Sequence, residues 1–92
     1  MSDRRQEAVA RIGASFRELR LKQGWTQSAL ANRAKVSRDT INRLERGQVV
    51  GLASLVALLD AMGFRLAFEP AKRLRAADMR RLFAHVHEEG DA

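Results

Sequence analysis

Between Gln27 and Gly47 the chain reads QSALANRAKVSRDTINRLERG, and the apolar positions in this stretch leave little choice of architecture. Leu30, Ala31, Ala34, Val36, Ile41 and Leu44 fall where two short helices crossing at a steep angle would share a small core, with Ala31 and Ala34 small enough for close approach. Thr26 and Ser37 stand as N-caps of the two helices, and Gly47 is placed to close the second in a left-handed C-cap. Asp39 in the first turn of the second helix suits the positive end of the macrodipole. The remaining positions face outward. Arg38, Asp39, Thr40, Asn42 and Arg43 then share the polar side of the second helix, a pattern suited to entering a nucleic-acid groove.

The flanking segments supply the rest of the core. From about residue 7 to 23, Val9, Ile12, Phe16 and Leu19 recur at spacings of three and four, which predicts an amphipathic helix ended by Gly24. Trp25, at a helix junction, is expected to pack beneath the first two helices rather than to stack on bases. After Gly47, the run LASLVALLDAMG predicts another helix with Leu52, Leu55, Val56, Leu59 and Met62 on its buried face and Gly63 as its C-cap. It starts poorly, because Gly51 is a modest N-cap and no Glu follows three residues later.

Phe64, Arg65, Leu66, Ala67, Phe68 and Glu69 alternate large apolar residues with others and stop at Pro70, reading as one short strand. A lone strand leaves its backbone groups unpaired, and no second segment of the chain offers an edge, so the expected partner is another copy. Paired antiparallel about Ala67, Arg65 faces Glu69 of the second copy and Leu66 faces Phe68. A pairing centred on Leu66 is the rival register. From Ala71 to about residue 89 a last helix is expected, opened by Pro70, with Leu74, Met79, Leu82, Phe83 and Val86 as a partial stripe. The organisation is thus mainly α, with four to five helices in all: residues 1–63 as a helix-turn-helix DNA-binding domain, 64–69 as a dimerising strand, and 70–92 as a C-terminal helix and tail.

At 92 residues the chain is one domain, near the size where many folds gain stability by oligomerising. Its formal charge of +6 is carried entirely by the first half, with eleven Lys/Arg against five Asp/Glu up to Arg46 and six against six beyond it. A positive surface there raises local affinity for phosphate backbone. From charge alone, a merely soluble Arg-rich surface is an equal reading. With no cysteine, neither disulfides nor thiolate metal sites are available. The N-terminus lacks the apolar stretch of a signal peptide and no run approaches membrane-spanning length, so a cytoplasmic protein is expected. No Ser-His-Asp set, phosphate loop or carboxylate pair stands out. His85 and His87, two apart, point in different directions on a helix and are poorly placed to share a metal. The expectation is a non-enzymatic protein without cofactors.

With these residues in view, the chain resembles the lambda-repressor-like, or Xre, helix-turn-helix family. The matching text is LRLKQGWTQSALANRAKVSRDTINRLERG followed by LASLVALLDAMG. The resemblance implies double-stranded DNA as partner, Gln27 as a phosphate anchor, and Ser37, Arg38, Asp39 and Arg43 as readers of base edges, with Thr40 and Asn42 behind them. Arg38 or Arg43 could bond a guanine bidentately. Asp39 could accept from cytosine or orient a neighbouring Arg. Arg43 and Arg46 have the alternative reading of a solvated helix face. Three positions depart from the family pattern. Lys35 stands where the turn usually has Gly, which implies a left-handed Lys that could also reach phosphate. Arg46 replaces the usual Asn, and Val50-Gly51 the usual Pro-Ser. GFRLAFEP resembles more particularly the DNA-binding antitoxin of the HipAB toxin–antitoxin pair. That resemblance implies a homodimer joined by the strand, autoregulation as a repressor, and a kinase-like toxin as a further partner. The second reading, a protein-interaction module, places partner docking on residues 71–86.

Overall fold

Three of the four described helices begin on a side-chain cap. The computed structural model describes residues 3–71, with α1 spanning Arg4–Lys22, α2 Gln27–Ala34, α3 Arg38–Glu45 and α4 Leu52–Ala61. Asp3 caps α1 by accepting from the Arg5 amide, which starts this helix ahead of the expected residue 7. Thr26 accepts from the Ala29 amide and Ser37 from the Thr40 amide, as their positions foretold. Gly51 provides no side-chain cap for α4, so that helix depends on burial.

The four described helices close alike, through a left-handed residue followed by an amide that reaches five residues back. The bonds run from Trp25 to Arg20, Val36 to Ala31, Gln48 to Arg43 and Phe64 to Leu59, at 2.8–3.1 Å. Three of the left-handed residues are glycines. The fourth is Lys35, at φ 57 and ψ 42.

α3 packs against both α1 and α2, and α2 against α4. The core they enclose consists of Phe16, Leu30, Ala31, Ile41, Leu44, Leu58 and Met62, with Leu30, Ile41 and Leu58 fully buried. Burying each of those three contributes about 1.5–3 kcal/mol. Ala34 and Val36 are half-buried against it, and so is Trp25, whose ring also lies 5.6 Å from the Arg33 guanidinium. The expected inward face of α4 requires correction. Leu58 is the fully buried residue, whereas Leu52 is 67% and Val56 47% exposed. The segment LASLVALLDA is apolar nearly all round, so its periodicity does not distinguish one stripe from another. On α1, Ile12 is likewise 52% exposed.

Residues 64–70 are irregular, and no strand occurs among the described residues. A single extended segment has no ladder to join within one chain. The expected last helix lies outside the described residues, as do His85 and His87. No helix among the described residues is long and apolar enough to cross a membrane.

α1 and α3 meet at backbone distance. A methyl on Gly13 would overlap the Leu44 carbonyl oxygen, and one on Gly47 would stand 2.9 Å from the Ala10 Cα. Gly13→Ala is therefore expected to destabilise the fold by about 1–3 kcal/mol, read as a lower urea midpoint. An unchanged midpoint would contradict this packing.

Candidate nucleic-acid interface

The turn between α2 and α3 is only three residues long, Lys35 to Ser37, and sets the two helices against each other through Leu30, Ala31, Ile41 and Leu44. Their first turns carry most of the polar residues singled out above. Gln27, Arg38, Asp39 and Asn42 line one open polar concavity of about 350 Å³. Arg38 and Asp39 are exposed and, among the described residues, make no side-chain hydrogen bond or ion pair. Asp39 also lies in the first turn of α3, where backbone amides favour a negative charge.

Other members of the expected set already have structural duties. The Ser37 and Thr40 hydroxyls lie 2.7 Å apart and are shared within the N-cap of α3. Arg43 is exposed on α3, and its Nη2 donates to the Val49 carbonyl at 2.8 Å, tying α3 to the loop before α4. Lys35 is exposed in the turn, and Arg46 is exposed at the C-cap of α3. Neither of these, nor Arg43, lines the concavity. The left-handed Lys35 costs about 1–2 kcal/mol relative to glycine, and it sets a positive charge between the two helices.

Two residues that the motif does not mark hold this arrangement in place. Arg20 is buried, and its Nε and Nη2 donate to Glu45 Oε2 and Oε1 at 2.6 and 3.0 Å, while Nη1 donates to the Trp25 carbonyl at 2.8 Å. Gln27 Nε2 donates to the same Glu45 Oε1 at 3.2 Å. One carboxylate, 5% exposed, thereby joins the end of α3 to α1 and to the first residue of α2. The hydrogen bond to Glu45 raises the Arg20 pKa above the ordinary arginine range, and the Glu45 charge adds to this against the opposing cost of burial. Stability drawn from a raised base is present below its unfolded pKa and lost only as pH climbs through the folded one, so Arg20 stays charged at any physiological pH.

A signal for this pair exists in the sequence. Arg20 follows Phe16 by four residues on the buried side of α1, and a charge on a buried face requires a partner. Arg20→Ala, which strands a buried carboxylate, is expected to cost about 3–5 kcal/mol. Arg17, 61% exposed and 3.9 Å from Glu45, should lose at most about 1 kcal/mol as Arg17→Ala. Equal losses in denaturant titrations of the two variants would contradict the assignment.

Residues 11–67 match the family described as Helix-turn-helix domain. Among solved structures, the restriction-modification controller protein C.AhdI from Aeromonas hydrophila is 30% identical, with a TM-score of 0.61 over 64% of this chain and 91% of that one. A variant of the restriction-modification controller protein C.Esp1396I is 17% identical at a TM-score of 0.58, covering 94% of this chain and 95% of its own, a likeness of fold alone. No curated protein sequence matches the chain.

Proposed function

The chain belongs to the helix-turn-helix domain family, and on that premise we propose that it is a sequence-specific transcriptional repressor acting as a homodimer on an inverted-repeat operator. The observation that carries this reading is the open polar concavity of Gln27, Arg38, Asp39 and Asn42 at the first turns of two abutting helices, on the basic half of the chain. Gln27 and Lys35 serve as phosphate contacts. Arg38 and Arg43 read guanine, with Arg43 leaving the Val49 carbonyl to do so. Asp39 accepts from cytosine or orients Arg38. Ser37, Thr40, Asn42 and Arg46 complete the contact surface. The likeness to C.AhdI, a restriction-modification controller, supports a role in transcription control.

Self-association is supported by apolar surface on another side of the molecule. α1 and α4 leave between them a groove of about 410 Å³ lined by Ile12, Phe16, Leu19, Leu55, Leu59 and Leu66. Phe64 and Leu66 are each 42% exposed and Phe68 95%. In the proposed dimer these residues and Arg65, Ala67 and Glu69 form the joint, with segments 64–69 pairing antiparallel about Ala67. Two recognition helices then stand about 34 Å apart, one turn of duplex. The protein is further proposed to be an antitoxin that represses its own operon, with a kinase-like toxin docking on residues 71–86. A kinase-like neighbouring gene favours that role, and a pull-down with and without residues 71–92 tests it.

In gel shifts on the DNA upstream of its own gene, Arg38→Ala and Arg43→Ala are each expected to lose about 1–3 kcal/mol of preference for the operator. Unchanged affinity and preference in both variants would refute these readers. The chain has no native cysteine, so paired Arg65→Cys and Glu69→Cys substitutions report the register directly. A disulfide-linked dimer on a non-reducing gel is expected, and a dimer that fails to cross-link would refute the register about Ala67, while a chain that stays monomeric in solution would refute the joint.

A further inference from the structure

A carboxylate can only accept hydrogen bonds, so contact with Glu45 dictates which end of the Gln27 amide it meets. Gln27 Nε2 faces Glu45 Oε1 at 3.2 Å, which turns the Gln27 carbonyl oxygen away. One of the two Nε2 hydrogens remains, and among the described residues the side chain makes no other hydrogen bond. Gln27 also lines the polar concavity with Arg38, so the free hydrogen is available to an anionic oxygen seated there. Glu45 does not line that concavity, and its side chain is only 5% exposed. Arg20 grips it at two points, which fixes Oε1 where Gln27 meets it.

We propose that Glu45 is a positioning residue for DNA binding that acts through Gln27. Its charge holds the amide with an N–H toward a backbone phosphate and prevents the flip that would present the carbonyl oxygen to an anion. Arg20 supports the same geometry one step further back. The inference rests on the DNA-binding reading above and deepens it, by naming what aims a neutral anchor at a charged group.

A double-mutant cycle tests it. Gln27→Ala, Glu45→Gln and the double variant are titrated with the upstream duplex, at a temperature where circular dichroism shows each fully folded. Gln27→Ala is expected to bind about tenfold more weakly, the worth of one hydrogen bond to a charged group. Sequence preference and salt slope stay as they were, because a neutral side chain releases no counterion. Glu45→Gln should weaken binding in the native background and have no further effect once Gln27 is alanine. An equal loss in both backgrounds would overturn the proposal, since Glu45 would then act through the fold alone. Full affinity in Gln27→Ala would also overturn it while leaving DNA binding intact. Failure of the unaltered chain to bind the duplex would instead remove the underlying reading, and this inference with it. Should Glu45→Gln not fold, Glu45→Asp takes its place in the cycle with the same expectation, because it keeps a charge for Arg20 but draws Oε1 back from Gln27.

Discussion

A buried carboxylate must be satisfied from all sides or it unfolds the protein around it, and Glu45 is such a group. Taking it and Arg20 out of water costs several kcal/mol for each ion. Near-ideal geometry offsets that cost: two parallel N–H donors from Arg20, a third donor from Gln27, and the Trp25 carbonyl for one further guanidinium hydrogen. Each of those donors and acceptors belongs to a different part of the chain. The requirement to meet at one carboxylate therefore fixes the end of α3 relative to α1, the turn after α1 and the start of α2. Apolar contacts among Leu30, Ile41 and Leu44 tolerate small slips, whereas a bidentate pair at 2.6 and 3.0 Å does not.

The short helices gain definition from their ends. Eight residues are too few for a stable isolated helix, so α2 and α3 depend on caps and on the core between them. Thr26 and Ser37 satisfy amides at the two starts, and the left-handed closures satisfy carbonyls at the stops. Lys35 is the exception among those closures, since it holds a conformation that glycine adopts without strain. The same choice sets a cation in the turn just before α3, where Arg38 is exposed, so the local strain accompanies a gain in positive field.

The molecule divides its surface by chemistry. Around the first turns of α2 and α3 the side chains are polar or charged and open to solvent. Between α1, α4 and Leu66 the lining is mostly apolar, with Arg11 and Ser15 its polar members. An apolar surface of this kind is stable in water only at a cost that burial removes. The two faces thus suit two unlike neighbours, one anionic and hydrated, the other apolar.

Much of this was legible in the residues. Helix positions, the caps Thr26 and Ser37, the closures Gly24, Gly47 and Gly63, and the inward Leu30, Ala31, Ile41 and Leu44 follow from local rules, because caps and turns act over a few residues, whereas the left-handed Lys35 was implied by the family resemblance. Other features depend on contacts distant in the chain. Leu58 rather than Leu52 or Val56 turns inward, because an all-apolar helix takes its orientation from what it packs against. The union of Arg20 with Glu45 spans 25 positions, and the tether from Arg43 to the Val49 carbonyl forms only once α3 and its loop are placed. Local chemistry settled where the helices begin and end. Packing in three dimensions chose which side chains are buried, which are held, and which, like Arg38 and Asp39, stay exposed, since burial and pairing are properties of neighbours that the chain brings together only on folding.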